Sequence, residues 1–384
     1  MDALSVTAAR GFLAAGSAAG IKDSGSLDLA IVIADGEPVP AAGVFTRNRA
    51  AAAPVTLSRN RLRAGLAHAV VLNSGSANAG TGSNGMMDAE QVTDRVAELL
   101  GTDPNLILMC STGPIGSPLP VRQMLDALPG LVGSARNDGG FAAAEAILTT
   151  DSRAKTTVVD GKGFVVGGMA KGSGMLRPDM ATMLCVLTTD AAVDASTLGR
   201  VLADVVPVTF NSLNVDGCES TNDTVLLLAS GKAAQAGTDD LGRAVETACR
   251  KLAYEMAADA EGASRVVKLR ISGAPDHDAA RQYGRAIADS ALVRASFYGG
   301  DPNWGRILAA LGACQVDPSA VSITYEGIRV ADQGIAYPFD DQKLAKLLTG
   351  DFVVDVGVGG GSGAAEVITT DLTPDYVRFN GERS

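Results

Sequence analysis

The stretch KGSGMLRPDMATML, residues 171–184, runs from a loop broken by glycine and proline straight into an apolar, β-rich segment, and it sets the hydroxyl of Thr182 at the junction. A hydroxyl held at the root of a strand could act as a nucleophile, but its pKa is too high for attack on a carbonyl without a base in hydrogen-bond reach. Imidazole is scarce. The two histidines are His68, opening the apolar run HAVVLN, and His277, in the polar turn APDHDAA, and neither has a hydroxyl and an acid arranged around it. One available base is the α-amine of the same residue, whose ordinary pKa of about 7.7–8.0 suits neutral pH. That amine exists only once the preceding bond is cut. One reading is therefore a self-cleavage site at Ala181 and Thr182, with Gly172, Gly174 and Pro178 able to hold a strained turn that would favour attack of the Thr182 hydroxyl on the Ala181 carbonyl. Two plainer readings compete. A phosphate loop needs glycine directly before Lys-Ser/Thr, and here Ala170 precedes Lys171 while Gly172 follows it. A threonine opening a strand is most often just a β-branched residue obeying its propensity.

The rest of the chain narrows the classes of function. With 384 residues, 46% hydrophobic and 20% charged, it can bury a large core and leaves little room for disorder. The net charge of −11 and the lack of basic runs argue against nucleic acid as a partner. The N-terminal stretch has no basic region ahead of an apolar core, and no apolar run approaches the length of about 18 residues that a membrane span requires, so the expected location is the cytoplasm. Cys110, Cys185, Cys218, Cys249 and Cys314 are odd in number and widely spaced, and they are read as buried thiols, Cys185 as a core residue with a nucleophilic role as the outside alternative. Two histidines and no paired cysteines speak against a zinc site, so no metal is expected.

The elements that must position Thr182 follow from periodicity. β-Rich runs are predicted at 29–34, 69–72, 106–109, 156–159, 163–168, 183–189, 224–229, 266–272, 321–330 and 352–358. Asp160-Gly161 and Glu326-Gly327 each divide two such runs, which is hairpin chemistry. Helical spacing is predicted at 88–100, 240–258 and 279–293. Strands and helices in mixed order predict a layered α/β sandwich whose sheets are partly antiparallel. The tripeptide Thr-Thr-Asp recurs at 149–151, 188–190 and 369–371, and is read as a strand-ending device in which the Asp closes a turn. Asp216, Glu219, Asn222 and Asp223 do not match a calcium loop and are assigned turn and scaffold roles, and Trp304 is read as the anchor of a polar turn.

KGSGMLRPDMATML resembles the signature of the ornithine acetyltransferase (glutamate N-acetyltransferase) family. The likeness extends through AAGIK at 18–22, AAGVFTRN at 41–48, VLNSGSANAGTG at 71–82, CSTGPIG at 110–116, LTTD at 148–151, DGCESTNDTV at 216–225, ADAEGAS at 258–264, GGDPNWGRILAALG at 299–312 and VRFN at 377–380. The resemblance implies an α/β/β/α-type sandwich that cleaves itself between Ala181 and Thr182. An α chain of residues 1–181 and a β chain of 182–384 would result, folding together as one interleaved unit and assembling as two of each. It implies Thr182 as nucleophile, Thr112 and Gly113 as the oxyanion pair, and Thr149 or Thr150, Lys171, Thr182, Glu261, Asn380 and Ser384 as substrate-binding positions, Thr149 being preferred within its pair. Lys171 could then meet an α-carboxylate and Glu261 an ammonium. The implied substrates are N2-acetyl-L-ornithine and L-glutamate, with acetyl-CoA as a co-substrate in bifunctional members and no bound cofactor. Two departures stand out: Gly80 replaces a common cysteine, and the tail beyond Asn380 is shorter than usual. An exchange-only enzyme, a self-processing aminopeptidase and a noncatalytic small-molecule-binding protein are the alternatives.

Overall fold

The computed structural model describes residues 2–175 and 183–382. The chain forms two compact units, one drawn from 1–172, 178–210 and 218–256 and the other from 173–177, 211–217 and 257–384.

The first unit holds two sheets. One has four strands in the order Phe12–Ser17, Leu29–Ala34, Ala69–Ser74 and Ile107–Thr112, the last two running parallel. The other has six, in the order Leu66–Ala67, Val39–Phe45, Thr224–Ala229, Leu184–Thr189, Val165–Lys171 and Lys155–Asp160. Only Thr224–Ala229 and Leu184–Thr189 pair in parallel there. Leu29–Ala34, Ala69–Ser74, Leu184–Thr189 and Thr224–Ala229 are largely apolar and buried at every position because both of their faces are covered. Ala30, Val32, Val70, Leu72 and Leu108 of the smaller sheet meet Leu184, Val186, Leu226 and Leu228 of the larger in one core. Side chains alternate across a strand, so Leu29, Ile31, Val71, Ile107 and Met109 point the other way. They pack with Val92 and Val96 of helix Gly82–Leu100 and Met124 and Leu128 of helix Val121–Gly133. Beyond the larger sheet lies helix Thr238–Ala258, whose Leu252 reaches Gly168. The order helix, sheet, sheet, helix is the expected α/β/β/α sandwich.

The second unit is a two-layer arrangement. Its seven-stranded sheet runs Leu213–Asn214, Gly363–Thr370, Val266–Ala274, Phe352–Gly357, Ser322–Tyr325, Ile328–Asp332 and Ile335–Ala336. Val267, Leu269 and Ile271 face Ile287, Phe297, Ile307 and Leu344 from the covering helices, while Arg270 and Ser272 on the alternate face are exposed.

Both expected hairpins form, at Asp160-Gly161 and Glu326-Gly327. The helix expected at 279–293 is instead two, His277–Asp289 and Ala291–Tyr298, because Ser290 is extended (φ −73°, ψ 108°) and its hydroxyl accepts the Val293 N–H. Two of the thiols expected to be buried are not: Cys218 lies exposed in a polar loop and Cys314 is half-buried, while Cys110, Cys185 and Cys249 are core. Trp304 opens helix Trp304–Ala313 and packs against the core of the second unit. Among the described residues no helix is long and apolar enough to cross a membrane, and no group of His, Cys, Asp or Glu could hold a metal ion.

Candidate active site

Thr112 ends the strand Ile107–Thr112, and Gly113 opens the turn that follows. Gly113 has φ +141°, and a Cβ there would lie 2.5 Å from the Ser76 nitrogen and 2.6 Å from the Gly75 carbonyl carbon, so only glycine fits. The turn is tied down from three sides. The Gly75 N–H donates to the Thr112 carbonyl (2.8 Å), the Ser111 hydroxyl donates to Asn73 Oδ1 (2.6 Å), and the Asn222 amide donates to the carbonyls of Ala77 (2.6 Å) and Ser111 (2.8 Å). Asn222, read from sequence as scaffold, is thus the pin that couples the 73–78 loop to the Thr112–Gly113 turn.

Lys171 ends the strand Val165–Lys171 and is 2% exposed. Its ammonium donates to Thr149 Oγ1 at 2.7 Å and to Thr112 Oγ1 at 3.3 Å, and lies 3.8 Å from Asp151 Oδ2. Three of the residues singled out by sequence, Thr112, Thr149 and Lys171, therefore converge. Thr149, the preferred member of its pair, supplies a hydroxyl on Lys171.

Sequence reasoning missed the group at the centre of this cluster. Asp151 does more than close its own turn. Its Oδ1 accepts Lys155 Nζ (2.7 Å) and the Gly172 N–H (2.7 Å), and its Oδ2 accepts the Thr149 N–H (3.2 Å). Burial on its own would raise this carboxyl, but Lys171, Lys155 and the Gly172 N–H outweigh it and hold the pKa at about 2. The other two Thr-Thr-Asp aspartates act alike, gathering backbone N–H groups from other segments. Asp190 accepts from Val165 (2.8 Å), and Asp371 accepts from Ser264 (2.9 Å) and Arg265 (3.4 Å). A cavity of about 370 Å3 opens beside the cluster, with Lys22, Ser24, Glu145, Leu148, Thr149 and Asp151 in its wall.

A second buried carboxyl stands at the start of the strand Thr224–Ala229. Asp223 is 0% exposed; its Oδ1 accepts the Met183 N–H at 2.8 Å, and its Oδ2 has no hydrogen-bond partner among the described residues. Burial pushes this carboxyl well above the usual range, although the Met183 N–H and Lys171 pull the other way. Thr224 donates its N–H to the Met183 carbonyl (3.2 Å), so two parallel strands begin side by side immediately after residue 182. Ala181, Thr182 and Ser384 themselves lie outside the described residues. The alternative thiol nucleophile fails, since burial pushes Cys185 well above the ordinary thiol range.

In the second unit, Glu261 lies in the turn after helix Thr238–Ala258 and donates its N–H to the Ser173 carbonyl (2.8 Å). Its carboxylate lies against Gly174, where a Cβ would come within 2.5 Å of Oε2. Asp371 holds the chain just beyond Glu261, and Thr373 Oγ1 donates to the Gly262 carbonyl at 2.5 Å. Asn380, on the exposed helix Pro374–Gly381, turns its amide back onto the Tyr376 carbonyl of that helix (3.1 Å). Neither histidine enters the cluster. His68 is buried, which lowers its pKa, and His277 Nδ1 contacts the Ala364 carbonyl (2.7 Å).

Comparison with known proteins finds relatives that span nearly the whole chain. The chain is 44% identical over 384 residues to the arginine biosynthesis bifunctional protein ArgJ of Thermobifida fusca, covering 99% of this chain and 100% of that protein. The protein of the same name from Streptomyces coelicolor is also 44% identical over 384 residues, with the same coverage. Ornithine acetyltransferase from Mycobacterium tuberculosis, crystallised in complex with ornithine, is 43% identical over 46% of this chain and 96% of that chain, with a TM-score of 0.43. The ArgJ family model matches residues 13–384. The chain belongs to the ArgJ family.

Proposed function

We propose that this protein moves the acetyl group of N2-acetyl-L-ornithine to L-glutamate in arginine biosynthesis, through an acetyl ester on Thr182 that becomes possible after self-cleavage between Ala181 and Thr182. The observation that carries the reading is the Thr112–Gly113 turn, pinned by Asn222 and backed by the buried Lys171 ammonium. A rigid turn of this kind is preorganised for charge that develops on an acetyl oxygen. The names borne by the relatives support the same pathway.

In the first half-reaction the Thr182 amine takes the hydroxyl proton, and Oγ attacks the acetyl carbon. Thr112 and Gly113 stabilise the oxyanion, and ornithine leaves with its nitrogen reprotonated. In the second, the glutamate amine attacks the ester and restores the threonine. Thr149 and Lys171 are assigned to the substrate's α-carboxylate, Glu261 to an ammonium group, and Asn380 and Ser384 to the remaining polar contacts. Cleavage would yield chains 1–181 and 182–384, assembled as two of each. Strands on both sides of that bond, Val165–Lys171 and Leu184–Thr189, pair within one sheet, which supports the two chains remaining together. The word "bifunctional" in the relatives' names supports a second activity, acetylation of glutamate from acetyl-CoA.

A covalent intermediate predicts ping-pong kinetics with parallel double-reciprocal lines. Intersecting lines would contradict it. Glutamate with acetyl-CoA and no acetylornithine tests the second activity: formation of N-acetylglutamate supports the bifunctional form, and its absence leaves an exchange-only enzyme.

A further inference from the structure

Lys171 and Thr112 together carry more information than a list of substrate contacts. An ammonium has three N–H donors and no lone pair, so Thr149 Oγ1 and Thr112 Oγ1 must both be acceptors toward it. Each hydroxyl proton is then turned elsewhere. That of Thr149 has a carboxylate oxygen in range, Asp151 Oδ2 at 3.5 Å. That of Thr112 is turned away from the cation, which leaves it free to serve an oxygen that gains negative charge. The cation thus decides the direction of the Thr112 O–H and adds positive potential behind it.

What decides the place of the cation is Asp151. A carboxylate with one buried lysine beside it would draw that lysine into close contact, and Lys171 would leave Thr112. Here Lys155 and the Gly172 N–H occupy Oδ1, at 2.7 Å each, and Lys171 stays 3.8 Å from Oδ2, poised between Thr149 and Thr112. Lys155 and Asp151 side chains are 0% exposed and that of Lys171 is 3%, so water screens none of these interactions.

We propose that Asp151 and Lys155 are positioning residues of the acetyl transfer, acting through Lys171 to aim the Thr112 hydroxyl at the oxyanion. The proposal rests on the acetyl-transfer reading above. It makes the effect of this pair fall chiefly on the chemical step, with a smaller change in KM because Lys171 is also assigned to the substrate's α-carboxylate.

The test uses full-length protein, with kcat expressed per site titrated by the acetyl burst, so that misfolded or uncut molecules do not count. Asp151→Asn keeps the shape and loses the charge; its kcat should fall about 100-fold, near the cost of losing one oxyanion donor, with KM for glutamate within about threefold. Lys155→Met leaves every backbone contact of Asp151 in place and should lower kcat about 10-fold with KM again within about threefold. Should Asp151→Asn yield no folded protein, the Lys155 variant decides alone. If wild-type protein cleaves and transfers while the variants keep kcat within twofold, or lose activity only through KM, the proposal is wrong. A wild type that shows no burst at all would instead overturn the acetyl-transfer reading.

Discussion

Asp151 and Asp223 lie in the same unit, the side chain of each out of water, yet their carboxyls are pushed in opposite directions. Asp151 stands between two lysines and accepts two backbone N–H groups, and its carboxyl is held at about 2. Among the described residues Asp223 has one backbone N–H on Oδ1, none on Oδ2 and Lys171 at a greater remove, and burial wins, pushing its carboxyl well above the usual range. Depth alone does not set the charge of a buried acid; the number of donors that reach it does. One carboxyl is thus pulled toward the anion by the cations and N–H groups around it, and the other is pushed by burial toward its neutral form while it holds the start of the strand Leu184–Thr189.

The same isosteric change should break these two sites in opposite senses. Asp151→Asn leaves two buried lysines without their anion and should destabilise the protein by about 3–5 kcal/mol at neutral pH, read from urea denaturation. A loss below about 1 kcal/mol would mean that the cluster is hydrated and the contrast false. The pH dependence sharpens the point. The folded pKa of Asp151 is depressed, so its contribution is present above the unfolded value near 4 and is lost as pH falls toward about 2. The gap between wild type and Asp151→Asn should therefore narrow by about 2 kcal/mol between pH 4 and pH 2.

Asp223 has the reverse sign. Its folded pKa is raised, so the stability it gives is present below the unfolded value and is lost as pH rises toward the folded one. Asp223→Asn keeps an oxygen for the Met183 N–H and does not titrate. Its stability relative to wild type should climb steadily as pH rises above about 4. A variant that is less stable than wild type by the same margin at every pH would show that Asp223 is ionised in the fold. The smallest expected effect is at Thr149: Thr149→Val removes an acceptor from Lys171 and should lower kcat/KM about 10-fold, and a change within about twofold would show that this contact plays no part in turnover.

Much of the frame was legible because burial on two faces writes itself as unbroken apolar runs. Leu29–Ala34 and Thr224–Ala229 fall at the predicted bounds. Strands that mix glycine, proline and alanine, such as Val39–Phe45, gave no such run and went unseen. The site was legible only in part. Thr112, Gly113, Thr149 and Lys171 were reached through family resemblance, and the structure brings Thr112, Thr149 and Lys171 together. Asp151, Asn222 and Asp223 were missed or read as scaffold, since each works through partners distant in sequence: Gly172 for Asp151, Ala77 and Ser111 for Asn222, Met183 for Asp223; Lys155 was missed because its part in the site runs through Asp151. One signal was available. Lys171 closes the otherwise uncharged strand VVGGMAK, and a lysine in such a place calls for a buried anion.

The central claim is that a threonine freed at its amine carries the acetyl group. The most direct measurement is the intact mass of purified wild-type protein before and after brief exposure to N2-acetyl-L-ornithine without glutamate. The account predicts two chains, the second beginning at Thr182 and gaining one acetyl group, and a single uncut, unmodified chain for Thr182→Ala. A wild-type chain that stays whole while transferring acetyl groups at full rate would contradict it.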